Sequence, residues 1–482
     1  PVLMSLTLHV ALLSGRTASI ETSSKSSVAA LLQKSQGQLG VALEHLISAS
    51  GDVLEATSTL EELGVEDNAT LTAHVRVLKV AASGGAFASI RPDGSVLTWG
   101  SRRQGANSNS VQAQLRDVQQ IHATQSAFAA IRLDGSVVVW GEPSTGGLDL
   151  AVRDQLRDVQ RIQTSNSAFA AIRADGSVVA WGDDLFGGNC SAVQHQLQNV
   201  QHIQACVDAF AAIRSDGRVV TWGHESHGGD SSSVQDQLCG VQHIQASKFA
   251  FAAIRYDGSV VTWGSAGHGG DSTAVQEQLH DVAQIQASSG AFAAIRADGS
   301  VVAWGHAGYG GDSNAVREQL RDVKQIQASH VSFAALRSDR SVVTWGIEKF
   351  GGKSSELKEL LKDVKEIQAS SRSFAALRFD GSVVAWGHDG FGGTTTDVQH
   401  QLRDVLHIQA TSGMGAFAAI RADGTVVSWG SDGNGGNNSA VTEQLNDVRQ
   451  IQASSDAFAA IRADGSVVTW GRDRRGKEET LI

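Results

Sequence analysis

The sequence predicts a mainly β protein, with a β-propeller of ten blades behind a small β-grasp domain. Most blades are expected to be three-stranded, each with a short outer helix. Three observations lead there. Trp-Gly occurs ten times, at Trp99, Trp140, Trp181, Trp222, Trp263, Trp304, Trp345, Trp386, Trp429 and Trp470, and the protein has no other Trp. Eight of the nine intervals are 41 residues, and the ninth is lengthened by two residues in the Thr411–Gly415 loop. A period of this size marks one supersecondary unit stacked on its own copies. Each period also holds three short apolar runs separated by turn residues. Residues 1–76, in contrast, lack the period.

In those first residues Leu6–Val10 and Thr17–Glu21 flank Ser14-Gly15-Arg16, a hairpin pattern with Gly in the turn. Ser26-Ser27 then precede a run whose apolar positions Val28, Leu31 and Leu32 mark one helical face behind a Ser cap. Strands follow at 43–47 and 70–75. This order describes a β-grasp.

One repeat shows the logic of the rest. Residues 282–287, 292–296 and 300–304 read as three strands, with Asp298-Gly299 as a tight primed turn between the last two. Nine of ten units keep this Gly, and in the seventh Arg340 replaces it, so strain or another turn type is expected there. The small Ala293 and Ala294 suggest crowding near a central axis. Val275, Leu279 and Val282, at i, i+4 and i+7 behind Asp271-Ser272, predict one or two capped helical turns on the outer rim. Units 77–471 form the array, and residues 472–482 a charged tail. Strict periodicity favours one continuous arrangement of ten units, closed, open or coiled.

Composition limits the function. The chain has 482 residues, 41% apolar and 18% charged, with 52 Gly and only 3 Pro. Its net charge of −11 suits neither nucleic acid nor anionic lipid as a partner. No apolar stretch approaches the length of a membrane span. Cys190, Cys206 and Cys239 are too few and too irregular for a disulfide framework or a zinc site, and read as neutral thiols of a reducing compartment. A monomer in the cytoplasm or nucleus is expected, and both ends are compatible with a longer chain.

Two resemblances follow from the motifs. Leu46-Ile47, Gly51-Asp52-Val53-Leu54, Thr59-Leu60, Leu63-Gly64-Val65 and Asn68–Leu71 follow the second half of the ubiquitin-like family in order and spacing. That resemblance implies an apolar recruiting patch at Leu13 and Ile47, with His74 in place of the third apolar member. Ser83-Gly84-Gly85 is not a conjugation tail, because it aligns with Ser288-Ser289-Gly290 inside a repeat. Phe-Ala-Ala-Ile-Arg-x-Asp-Gly-x-Val-Val-x-Trp-Gly, followed by aromatic-Gly-Gly, resembles the regulator of chromosome condensation repeats over residues 77–471. That superfamily includes guanine-nucleotide exchange factors and substrate-binding arrays of HECT-type ubiquitin ligases. The His usual before the family's second strand is Ala or Ser here (Ala127, Ala168, Ala291, Ser373), and the inserted wedge of the exchange factors is absent.

No unique His, Asp, Cys or Ser cluster breaks the repeat, so no catalytic residue, cofactor or metal is expected. His224, His306 and His388 stand on different blades, without metal-ligand spacing. The position before Gly-Gly reads Thr145, Phe186, His227, His268, Tyr309, Phe350, Phe391 and Asn434. These side chains must share one face. Phe186, His227, His268, Tyr309, Phe350 and Phe391 are therefore the candidate protein-binding band, although each ring is also expected to pack in part on its own blade's loop. The predicted function is a non-enzymatic protein-interaction scaffold in the ubiquitin system. The alternatives are exchange activity on a small GTPase and the front part of a HECT-type ligase.

Overall fold

The structure is a computed structural model describing residues 5–12, 16–39, 43–56, 58–75, 80–91, 93–148, 152–413, 415–464 and 466–471. The N-terminal unit is a four-stranded sheet and one helix. Its strands are β1 (Ser5–Leu12), β2 (Thr17–Ser23), β3 (Leu43–Ile47) and β4 (Thr70–Val75), in the order β2-β1-β4-β3. The central pair β1 and β4 is parallel, and the outer pairings are antiparallel. The helix α1 (Val28–Leu39) starts at Ser27, whose hydroxyl accepts from the Ala30 N–H at 3.3 Å, a cap contributing about 1 kcal/mol. Val28, Leu31 and Leu39 pack on Leu6, Leu8, Val10, Leu46 and Leu71 in one buried core. This is a β-grasp. Ser14 and Gly15 of the expected turn lie outside the described residues.

The rest is a β-propeller of ten three-stranded antiparallel sheets. In the sixth, an inner strand (Val282–Ala287), a middle strand (Ala291–Arg296) and an outer strand (Val301–Gly305) lie in that order. The inner strand carries a register shift between Val282 and Gln284. That shift is why Val282 and Ile285, three residues apart, are both buried in a structure whose period is two. The middle strand is buried on both faces. Phe292 and Ala294 join the cluster of the preceding blade, which includes Ala250, Ala252 and Ile254. Ala291, Ala293 and Ile295 join Phe333 and Trp345 of the following one. The alanines therefore do not answer to crowding at the axis, which the inner strand lines. They are hollows that receive the next blade's Phe.

The same pattern passes from blade to blade, and an apolar contact of the same kind joins the first blade to the tenth. Phe87 and Trp99 of the first blade share a buried cluster with Ala457, Ala459, Ile461 and Val467 of the tenth.

Three polar links join neighbours. At one end the Val282 N–H donates to the Gly258 carbonyl in the preceding blade's turn, at 2.9 Å. Gly258 must be Gly, since its φ is +76° and a Cβ would lie 2.9 Å from the Asp281 Cα. At the other end the Trp304 indole N–H donates to the Gly269 carbonyl at 3.0 Å, and Gly269 lies flat on the Phe292 ring, where a Cβ would come within 2.6 Å. Around the axis the Lys248 N–H donates to the Ser289 carbonyl at 3.1 Å. The recurring Trp and the Gly that follows it six residues on are thus two halves of one inter-blade latch, formed by nine of the ten tryptophans among the described residues.

Two local expectations are corrected. The Asp-Gly turn is not primed. Within the sixth blade's turn Gly299 alone has positive φ, the Gly299 N–H donates to the Arg296 carbonyl, and the Arg296 N–H donates to the Ser300 carbonyl. That is a three-residue loop ending in a left-handed Gly, with Asp298 accepting from the Ser300 N–H and hydroxyl at 2.9 and 2.6 Å. The outer segment is a 3₁₀ helix (Thr273–Gln278), and Ser272 does not cap it. Its hydroxyl instead meets Thr262 and Gln276, tying the segment to the outer strand. Three residues per turn lets short pieces dock without a full α-turn.

Candidate functional site

The residue before each Gly-Gly closes a single 3₁₀ turn, as in Ala307–Tyr309, and its carbonyl is held by the loop between inner and middle strands. The Ser288 hydroxyl donates to the Tyr309 carbonyl at 2.7 Å, and Ser165 to that of Phe186 at 3.0 Å. Repetition therefore places all these side chains on one face. Phe186, His227, His268, Tyr309, Phe350 and Phe391 are each half-buried, whereas Asn434 is buried. Tyr309 lies on Gly290, where a Cβ would come within 2.6 Å of its ring. The expected packing on the loop is present, with a ring edge left to solvent.

The rings join into two runs. In the first, His224 stacks on His227 at 4.1 Å, His227 meets Phe249 at 4.2 Å, Phe249 meets His268 at 4.8 Å, and His268 meets Tyr309 at 6.0 Å. His306 closes edge-on to Tyr309 at 5.3 Å. In the second, Phe350, His388 and Phe391 are linked at 5.7 and 5.0 Å, and the Arg372 guanidinium lies 5.0 Å from the Phe350 ring and 4.8 Å from that of Phe391. The His227 Nδ1 is 2.8 Å from buried Asp208. Burial first, and then His227, Lys248 and His306, lower the His268 pKa, which keeps that ring an uncharged stacking surface near neutrality.

Sequence reasoning missed Phe249, Lys248, His330 and Arg372, which occupy the loop between inner and middle strands. The signal was available: the repeats vary there as they do before Gly-Gly. It also missed the wall of the axis, where the third inner-strand position places Arg161 and His202 on adjacent blades and brings His407 within 3.5 Å of Glu366.

Among the described residues no three His, Cys, Asp or Glu side chains converge as metal ligands. Cys190 and Cys206 are buried, and Cys239 is exposed. Burial pushes the Cys206 thiol up to about 11, which makes it a poor nucleophile. No helix among the described residues is long and apolar enough to cross a membrane. Of the ubiquitin-like patch, Ile47 is half-buried on β3. Leu13 lies outside the described residues, and His74 is placed only as a member of β4.

The ubiquitin family model matches residues 7–78, so the N-terminal unit is a ubiquitin-like domain. No curated protein matches the chain. Among solved structures, Prp20p from Saccharomyces cerevisiae, described with its binding to Gsp1p and histones, is 17% identical. It aligns over 51% of this chain and 74% of its own, with a TM-score of 0.32. The ectodomain of the Physcomitrella patens receptor kinase CR4 is 16% identical over 56% and 73%, with a TM-score of 0.33. A designed protein based on ubiquitin is 28% identical over 15% of this chain and 89% of its own, with a TM-score of 0.14. At these values no property of those proteins passes to this one.

Proposed function

We propose that this protein is a non-enzymatic scaffold that holds a protein partner on the aromatic face of its propeller, with the ubiquitin-like domain linking that partner to the ubiquitin system. The observation that carries the reading is the pair of interlocked ring runs, His224 to Tyr309 and Phe350 to Phe391, half-buried and sharing one face. Rings held rigidly by their neighbours lose little freedom on binding, and so suit hot-spot anchors. Exchange activity on a small GTPase is the alternative, and a nucleotide-release assay is expected to show no acceleration. The working compartment is the cytoplasm or nucleus.

Capture of cellular proteins on the full chain, on residues 77–482 alone and on the full chain carrying Phe249→Ala and His268→Ala tests the scaffold reading. Partners of the propeller should survive removal of residues 1–76 and disappear with the two ring substitutions. If no captured protein depends on either domain, the reading falls.

A further inference from the structure

The loops between inner and middle strands form a belt around the axis. From Gly84 through Gln125, Asn166, Val207, Lys248, Ser289 and His330 to Ser371, each backbone N–H donates to the next loop's carbonyl, at 2.9 to 3.2 Å. The belt uses up these backbone groups, so recognition at the mouth of the axis is left to side chains. On one side a cavity of about 520 Å³ is lined by Lys248, Ser289, His330 and Ser371.

Three cationic or imidazole groups rise from the fifth, seventh and eighth blades here. The Lys248 ammonium lies 5.2 Å from the Phe249 ring, and Arg372 is flanked by Phe350 and Phe391. Between them stands His330. The residue is exposed, yet the atoms crowded around its ring are enough that desolvation, followed by Lys248 and Arg372, lowers its pKa. Among the described residues neither Lys248 nor Arg372 takes part in an ion pair. The Asp208 carboxylate on this face is engaged by His227, and Lys353, Arg321 and Lys362 elsewhere each have an acidic partner. The Ser371 hydroxyl, 5% exposed as a residue, has no hydrogen-bond partner. In a chain of net charge −11, these two unpaired cations stand on one mouth beside a buried, unfilled hydroxyl.

We infer that this mouth binds a carboxylate-rich peptide segment of a protein partner, its acidic side chains meeting Lys248, His330 and Arg372 in turn. The inference rests on the scaffold reading and names the partner's chemistry. The cations are spread along an arc over four blades and do not converge on one point. That spacing suits a string of carboxylates better than a single phosphate, which needs convergent donors. The two cations are steadied on aromatic faces, which reduces the ordering cost of binding.

The test is fluorescence anisotropy of a fluorescein-labelled ten-residue peptide of alternating Glu and Asp, titrated with the full chain. Saturable, salt-sensitive binding is expected, weakened about tenfold or more by Lys248→Gln with Arg372→Gln. Arg372→Lys alone, which keeps the charge and changes the stack, should retain most of the affinity. Unlabelled acidic peptide should displace the probe, and millimolar inorganic phosphate should not. Absence of saturable binding, indifference to the double substitution, loss of affinity in Arg372→Lys equal to the double variant, or displacement by phosphate would each overturn the inference. If cellular partners are still captured through the rings while the peptide fails to bind, the scaffold reading stands and this one alone is lost.

Discussion

Arg340 is the residue at which the repeat breaks its own rule. It stands where nine other units have Gly, and it adopts φ +65° in the same three-residue turn, with its N–H donating to the Arg337 carbonyl and its carbonyl accepting from Val364. A side chain in the left-handed region costs about 1–2 kcal/mol, and the Arg340 guanidinium 4.2 Å from the Phe379 ring recovers part of it. Arg340→Gly should therefore change the melting temperature by no more than a few degrees. Gly299→Arg, with no such ring beneath it and Asp322 2.9 Å from its new Cβ, should destabilise by about 1–2 kcal/mol. Effects equal in size and opposite in sign, with Arg340→Gly stabilising by as much as Gly299→Arg destabilises, would show that the ring contact at Phe379 does nothing.

At the scale of the element, the blade repeats one carboxylate device. Asp257, Asp298, Asp339, Asp380 and Asp423 each accept from the hydroxyl and backbone N–H two residues on, and those bonds lower their pKa values against a small opposing desolvation, with an Arg adding to the effect. A carboxylate lowered in the folded state stabilises above its ordinary range, near pH ~4, and that contribution is lost as pH falls through the lowered values. Stability should fall as pH drops below about 4 and the turns protonate together, and Asp298→Asn with Asp339→Asn should flatten that fall in acid-denaturation curves. An unchanged slope would mean that the turns do not titrate with folding.

The strands of this element were legible in the sequence because Phe-Ala-Ala-Ile-Arg and Val-Val-x-Trp-Gly place apolar residues without interruption, as a middle strand buried on both faces requires. The turn and the outer helix were less legible. Asp-Gly serves both the primed turn and the loop ending in a left-handed Gly, and only the hydrogen bonds distinguish them. Val275 and Leu279 fit α-helical spacing, yet the Ser272 side chain that would cap a helix is taken by Thr262, a tertiary contact that no local pattern announces. Of the site, the ring positions before Gly-Gly were readable from the period. Phe249, Lys248 and Arg372 vary between repeats in the same way, but only the belt, which brings eight separate loops to one mouth, shows that they join the band.

For the whole molecule, the decisive place is the seam between the first and tenth blades. Nine tryptophans, from Trp140 to Trp470, donate their indole N–H to the first Gly of the preceding blade's Gly-Gly or its counterpart, such as Gly105 for Trp140 and Gly435 for Trp470. The tenth, Trp99, is 8% exposed, and its Nε1 has no acceptor among the described residues. The apolar half of the seam is nonetheless in place, because Phe87 and Trp99 pack on Ala457, Ala459 and Ile461. Gly476 follows Trp470 by the six residues that separate Gly105 from Trp99. It lies outside the described residues, and shortening the chain tests whether the part beyond Gly471 supplies the tenth acceptor. Trp304→Phe, which breaks a formed latch and leaves the Gly269 carbonyl unpaired, should cost about 2–4 kcal/mol. In the full chain Trp99→Phe should cost a similar amount. In a chain ended after Gly471 it should cost about 1 kcal/mol less, since the hydrogen bond is already lost, and that shortened chain should melt below the full one. Melting curves of the four proteins decide the matter, and equal costs of Trp99→Phe in both lengths would show that nothing beyond Gly471 latches the ring.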